Sequence, residues 1–260
     1  MTEVLYTSRI IKATALIADT KALLASWDLT QEAQSNLQHA RETNILGRAS
    51  RARVEDVLTI FRQRYFDDPQ VGQALAILVQ GGVPGQWIDP LLYYYTVKND
   101  ITLRDIVLEV IAPRRMSGYT DLTPEHVTRV VRDWVAEGRT TSPWGDETIL
   151  RVVKNSLAAL RDFGILQGKA NKSITPIYLP VESFAFLAFE LWRDLHSGDK
   201  VLHSPVWNLF FLPTQGVERF FLEAHQERLL DYHAAGSVIR LEFPINNLVE
   251  VAHELVKRAG

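Results

Sequence analysis

The chain has no cysteine, and this absence excludes several kinds of site. Without thiols there are no disulfides, thiolate zinc sites, iron–sulfur clusters or cysteine nucleophiles. A chain of 260 residues is long enough to bury a stable core without such cross-links. The lack of cysteine is also compatible with a reducing cytoplasm.

The sequence also lacks long apolar runs and an excess of basic charge. Its longest uncharged stretch, residues 69–88, contains four glycines, four glutamines and two prolines, which does not suit a lipid environment. Residues 1–6 do not show the basic and then apolar pattern of a signal peptide, so we expect a cytoplasmic protein with no membrane contact. The net charge of −3 disfavours a protein that coats nucleic acid along its whole length, although a local basic face is compatible with it.

Recognisable catalytic and metal-binding motifs are absent. No two of the seven histidines are closer than seven residues, whereas helical metal sites place ligands three or four apart. We find neither a phosphate-binding glycine loop nor the strand-to-helix motif that presents a nucleophilic serine. The sequence therefore predicts no metal, no cofactor and no catalytic residue, and it does not favour an enzyme.

Helical periodicity dominates the first part of the chain. It predicts a bundle of about six helices over residues 1–118. The first of them is a long amphipathic helix from Thr7 to Trp27, and the third runs from Ser50 to Phe66. Pro113 is expected to stop the last helix, and the polar segment Arg114–Leu122 is the best linker candidate.

The second part, residues 119–260, has a different outline. Thr123 is a helix cap, and a second helix is predicted over Glu147–Phe163. Two short apolar runs, Ile165–Gln167 and Ile174–Leu179, flank a polar tip and predict a β-hairpin. Two helices followed by a hairpin are typical of a winged helix-turn-helix. The predicted fold is therefore mainly α, an N-terminal bundle plus a C-terminal winged-helix-like domain with a small β-hairpin.

Polar side chains of this second unit are candidates for nucleic-acid contact. Arginine and asparagine suit base edges, and lysines at a wing tip suit phosphates. Residues 127–172 carry eight cations and five acids in a chain of net negative charge. The connection Gly138–Gly145 is longer than a usual turn, and winged helices also dock proteins, so both interpretations stay open. The candidates are Arg151, Lys154, Asn155, Arg161, Lys169, Asn171 and Lys172.

Arginines also cluster between residues 41 and 64. Arginine binds phosphates through its planar fork and enters narrow minor grooves. The alternative is a solvated face with ordinary ion pairs, such as Arg51 with Glu55. Residues 181–260 carry seven cations and eleven acids, which is compatible with a surface for partner proteins. The candidates in this cluster are Arg41, Arg48, Arg51, Arg53, Arg62 and Arg64.

Several segments resemble the BrxA proteins of BREX bacteriophage-defence systems. The residues that carry this resemblance are Tyr6–Lys12, Asp19–Leu24, Asn44–Arg48 and Arg64–Phe66. The resemblance implies a small, mostly helical, non-catalytic component that acts beside a methyltransferase, an ATPase and a phosphatase-like protein. The family has been likened to an RNA-binding antitermination factor, and DNA binding is also plausible for it.

Taken together, charge and resemblance favour a BREX component that binds double-stranded DNA mostly through phosphates, with weak sequence specificity. One alternative is an adaptor that scaffolds the defence complex without nucleic acid. The other is a protein that binds structured RNA.

Overall fold

A computed structural model describes residues 5–47, 50–169, 172–236 and 238–260. The fold is mainly helical, as predicted, and its described part contains two small antiparallel sheets. The helices of the first part are α1 (Ile17–Ala25), α2 (Ala33–Glu42), α3 (Arg51–Tyr65), α4 (Pro69–Gln80), α5 (Gly85–Asn99), α6 (Ile101–Ile106) and α7 (Ala112–Met116). The remaining elements are β1 (Asp121–Leu122), α8 (Pro124–Ala136), α9 (Asp146–Asp162), β2 (Leu166–Gln167), β3 (Lys172–Ile174), α10 (Val181–Leu195), α11 (Gly198–Leu202), α12 (Thr214–Gln226), β4 (Asp231–Ala235), β5 (Val238–Glu242) and α13 (Leu248–Ala259).

Helix starts follow local capping chemistry. The Ser50 hydroxyl accepts from the Arg53 amide at the start of α3, and the Asp68 carboxylate accepts from the Gln70 amide at the start of α4. Before α8, the Thr123 amide donates to His126 Nδ1 at 3.1 Å. These starts lie where the sequence predicts them, because each cap bonds only to its own first turn.

The long helix predicted over Thr7–Trp27 is wrong. Residues 5–16 instead form an N-terminal strap that contains only a single 3-10 turn, Arg9–Ile11. Leu16 has a φ of 54°, a left-handed conformation that separates the strap from α1. The strap is held by tertiary bonds, since the carbonyls of residues 13, 14 and 15 accept from Arg64 of α3.

Pro113 does not end its helix, which corrects a second expectation. After α6 the chain passes through a π-helical turn, Val107–Ile111, and then continues as α7. Pro113 lies in the first turn of α7, directly after the π-helical turn, so the helical segment continues past the proline instead of ending there. The linker predicted over Arg114–Leu122 is shorter than expected, because its first three residues belong to α7 and its last two form β1.

The first sheet joins the hairpin to the segment before α8. Its strand order is β1–β3–β2, with both pairs antiparallel and with Leu166 opposite Ile174. The second hairpin strand is Lys172–Ile174 and not Ile174–Leu179. Pro176 explains the difference, because proline cannot donate to a strand ladder.

Buried apolar side chains form one cluster that draws on residues before and after position 118. Helix α4 packs against α13, and α5 packs against α10. The Tyr93 hydroxyl of α5 donates to the Leu209 carbonyl at 3.0 Å, and Phe184 of α10 stacks on Trp207 at 4.7 Å. The proposed boundary near residue 118 is therefore crossed by a continuous core.

Tyr6 anchors the N-terminal end of the strap. Its ring is 2% exposed and stacks on Trp134 of α8 with a centroid distance of 4.0 Å. Its hydroxyl donates to Asp105 at 3.0 Å and accepts from Arg139 at 2.5 Å. Burial and the Asp105 carboxylate raise the pKa of Tyr6, so the hydroxyl remains a donor.

We expect Tyr6→Phe to lower the free energy of unfolding by about 1–3 kcal/mol, because the Asp105 and Arg139 partners lose their shared hydroxyl in a partly buried site. Urea denaturation followed by circular dichroism measures the change. Tyr178→Phe is the matched control, since Tyr178 is 70% exposed and should change stability by less than about 0.5 kcal/mol. Equal stability of the two variants would contradict an anchoring role for the Tyr6 hydroxyl.

Candidate nucleic-acid interface

Helix α9 has a clear inner and outer face. The inner face, with Ile149, Val153, Leu157 and Leu160, is at most 4% exposed, as the periodicity predicts. The outer face presents Arg151 and Lys154 to solvent. Neither side chain has an ion-pair partner among the described residues, so both charges are available to a ligand.

The other α9 candidates are already engaged. The Asn155 side-chain amide donates to the Arg151 carbonyl one turn earlier, at 2.7 Å. Arg161 pairs with the neighbouring Asp162 at 2.9 Å, and both side chains are about two-fifths exposed. An exposed pair of this kind is worth little and can be exchanged for a phosphate.

The tip between β2 and β3, which would be the wing tip of a winged helix, follows the C-terminal end of α9. Lys169 is exposed, and the ammonium group of Lys172 donates to the Lys169 carbonyl at 2.8 Å. Asn171 lies outside the described residues, so its expected role stays a prediction. The tip thus brings two lysines together close to β2 and β3.

The arginines of α2 and α3 line two adjoining clefts. Arg41 and Arg51 line the first, and Arg41 and Arg62 line the second. Glu55 pairs with Arg41 at 2.7 Å and not with Arg51, which corrects the expected pairing within one helix. The physical reason is that α2 lies beside α3 and offers a cation across the first cleft. Arg51 and Arg62 are exposed and have no ion-pair partner in the described part of the chain.

Arg53 lies on a different face of α3 from Arg51 and Arg62 and points towards the strap. Its guanidinium donates to the Lys12 carbonyl. A shallow cleft along residues 14–19 is lined by Arg53 on one side and by Asp162 of α9 on the other. The arginine-rich helix and α9 therefore meet across the strap, although they are about 100 residues apart in sequence.

Arg64 is buried. It is 5% exposed, and its guanidinium donates to the Thr14 carbonyl at 2.9 Å and to the Ala13 and Ala15 carbonyls at 3.3 Å. This structural role removes Arg64 from the candidate surface, because its donors are already used inside the protein. Arg48 lies outside the described residues.

Sequence reasoning missed the cations of the strap. Lys12 pairs with Asp56 of α3 at 3.3 Å, and its side chain remains 66% exposed. The Arg9 guanidinium donates to Gln63 at 3.5 Å. The sequence does show Arg9 and Lys12 close together in one short segment. The helix predicted over Thr7–Trp27, however, gave no reason to expect these two cations beside α3.

The aromatic clusters belong mostly to the core. Tyr93, Tyr94 and Tyr95 are at most 3% exposed, and Phe184, Phe186 and Phe189 are fully buried. Stacking on bases therefore finds no support in these residues.

Neither metal nor membrane chemistry is offered by the part of the chain that the structure covers. In that part, no three histidine or acidic side chains are grouped so that they could hold a metal ion. Every helix within the described ranges is too short or too polar to span a lipid bilayer.

Comparison with models of known protein families identifies a family for most of the chain. Residues 4–190 match the model of the family described as BrxA. A search of the curated proteins finds no match. The matched range includes every candidate residue of the nucleic-acid interface.

We expect Arg64→Ala to lower the free energy of unfolding by about 3 kcal/mol, because three strap carbonyls lose a charged donor in a buried site. Arg62→Ala is the matched control on the same helix, and as a surface change it should cost less than about 0.5 kcal/mol. Thermal and urea unfolding of both variants provide the measurement. Similar stability of the two variants would show that the strap does not depend on Arg64.

Proposed function

The chain belongs to the BrxA family, and on that premise we propose that it is the component of a BREX phage-defence system that binds double-stranded DNA without catalysing a reaction. The observation that carries this proposal is the outer face of α9. Its Arg151 and Lys154 are exposed and unpaired among the described residues, and the lysines of the wing tip lie beyond the end of the same helix.

The order of elements supports α9 as the DNA-contacting helix. Strand β1, helices α8 and α9 and the hairpin β2–β3 follow one another, and β3 lies between β1 and β2 in the sheet. A winged helix places its second helix in the major groove and its hairpin against the backbone. In this interpretation Arg151 and Lys154 approach the groove, while Lys169 and Lys172 contact phosphates.

Arg53 of α3 adjoins the same surface, because it shares a cleft with Asp162 at the end of α9. Arg51 and Arg62 line the clefts beside α2 and would form a second phosphate-binding patch. Phosphate-type cations outnumber base readers on this surface, so the binding is mostly electrostatic and only weakly sequence-specific.

The acidic C-terminal part points to protein partners and not to DNA. Residues 181–260 carry four more acids than cations, and such a surface repels a phosphate backbone. We assign this part to contact with other BREX proteins, for which a methyltransferase, an ATPase and a phosphatase-like component are the candidates. An adaptor without nucleic acid would use the same surface, so the DNA measurements below separate the two functions.

The first test is a salt titration of binding to duplex DNA by fluorescence anisotropy. With about six phosphates contacted, the logarithm of affinity should fall against the logarithm of salt concentration with a slope near −5. A duplex RNA of the same length is measured beside it. Absence of binding at low salt would favour the adaptor, and tighter binding to RNA would favour the RNA-binding alternative.

The second test reverses charges on two faces. We expect the double variant Arg151→Glu, Lys154→Glu to lose at least about tenfold in affinity and to reduce the salt slope by about 2, because two phosphate contacts are removed. Arg51→Glu with Arg62→Glu tests the α3 surface in the same way.

The control changes net charge equally on the acidic part of the chain. Lys200→Glu with Arg219→Glu replaces two exposed cations of α11 and α12 that have no ion-pair partner in the described ranges. If this control weakens binding as much as the α9 variant does, the effect is one of overall charge, and the assignment of α9 fails.

A further inference from the structure

A semi-enclosed cavity lies in the C-terminal part, away from the proposed DNA surface. It has a volume of about 190 Å³ and opens between α10, the turn after α12 and the start and body of α13. Its apolar walls are Ala185, Leu229, Phe243, Ile245, Val251 and Leu255. A cavity of about 150 Å³ with similar walls is large enough to bind benzene, so this one fits a compact apolar group.

Two guanidinium groups stand at the edge of the cavity. Arg228 is exposed, and its side chain has no hydrogen-bond or ion-pair partner among the described residues. Arg258 donates to the Glu227 carbonyl at 2.5 Å, while its nearest approach to the Glu227 carboxylate is only 3.9 Å. Guanidinium donors therefore remain available beside an apolar space.

The acidic group at the cavity does not cancel these charges. Glu254 also lines the cavity, but its carboxylate pairs with Lys257 of the same helix at 2.6 Å. With Glu254 paired, Arg228 is the uncompensated charge at the edge. The cavity thus combines an apolar interior with a positive edge.

The backbone of Arg228 gives an independent reason to look for a role of its side chain. Its φ is 57°, in the left-handed region, at the residue that follows the cap of α12. The Arg228 amide donates to the His225 carbonyl and the Leu229 amide to the Ala224 carbonyl, which is the Schellman pattern. That position favours glycine, so the arginine found there adopts it at a conformational cost.

We propose that this cavity binds a small carboxylic acid with a compact apolar body, and that Arg228 binds its carboxylate. The apolar body fills the space between Phe243 and Leu255, and the carboxylate lies at the edge, where the guanidinium fork can bind it through two hydrogen bonds. The cavity is separate from α9, so the test of this proposal does not depend on whether the chain binds DNA.

The test uses phenylacetate as the probe and phenylacetamide as its neutral analogue, with the full chain and calorimetric or NMR titration. Phenylacetate should bind saturably with a Kd of about 1 mM or tighter, and phenylacetamide about tenfold more weakly, since it lacks the charge. Absence of saturable binding, or equal binding of the two compounds, would overturn the proposal.

Arg228→Gly separates a binding role from a structural one. It should raise Tm by about 2 °C, because glycine relieves the left-handed strain, and yet weaken phenylacetate about tenfold. The control is Arg219→Gln, because Arg219 is an exposed arginine of α12 that does not line the cavity. This variant should bind phenylacetate with unchanged affinity. Unchanged affinity in Arg228→Gly would contradict the proposal.

A final binding measurement distinguishes a free small acid from the C-terminus of a protein as the ligand that supplies the carboxylate. N-acetylphenylalanine carries the same ring beside a carboxylate in the arrangement of a protein C-terminus. If it binds more than about tenfold tighter than phenylacetate, the site is a peptide-terminus pocket and the small-acid proposal is wrong. Comparable or weaker binding supports the small acid.

Discussion

The buried guanidinium of Arg64 is the interaction on which the arrangement of the basic surfaces depends. It holds the carbonyls of Ala13, Thr14 and Ala15 against α3, while Tyr6 at the other end of the strap is held by α8, α6 and the loop after α8. The strap also pairs with that loop through its backbone, since the Tyr6 amide donates to the Arg139 carbonyl and the Thr141 amide to the Tyr6 carbonyl. The 3-10 turn between these two ends packs against α9, so the strap links α3 to α9. Any ligand that spans the two helices therefore finds their cations already positioned, and little of its binding free energy is spent on ordering them.

The same structure shows why a count of arginines overstates a binding surface. Arg64 uses its charge inside the protein, and Arg41 shares its charge with Glu55. Counterion release comes only from cations that replace condensed ions on the nucleic acid, so buried or paired arginines add little to it. The cations left to contact a phosphate backbone are the exposed ones of α9, α3 and the tip between β2 and β3. A few separated cations of this kind in a chain of net charge −3 would give phosphate binding of moderate affinity and strong salt dependence.

What the sequence could predict is the local part of this arrangement. Helix caps at Ser50, Asp68 and Thr123 bond within their own turns, so their residue types are sufficient to place α3, α4 and α8. The strap could not be found in this way, because its carbonyls are bonded by an arginine about 50 residues later. Helical spacing did contain a signal for Arg64, which follows Phe61 by three residues and so lies beside the buried face of α3. Residue type alone led to the prediction that Arg64 contacts phosphate, whereas its position on α3 places the side chain in the protein interior.

The part of the chain beyond the family match is built into the same body as the matched part. Helix α13 lies beyond residue 190, yet it packs along α4, which lies within the match. The approach is so close that a Cβ atom at Gly81 would lie 2.4 Å from a methyl carbon of Val256. Gly81 is therefore needed because only glycine leaves room for α13 to approach. Its backbone does not require glycine, since a φ of −72° is accessible to any residue. Helix α10 adds a second link, because Arg193 bonds both Glu190 of its own helix and Asp68 at the start of α4, each at 2.9 Å. Glu190 is 3% exposed and also pairs with Lys98 of α5 at 2.7 Å, so cations from two helices bond this buried carboxylate, which makes the link costly to break. The acidic part and its cavity are thus joined to the matched part by close packing of α13 on α4 and by the ion pairs of Arg193.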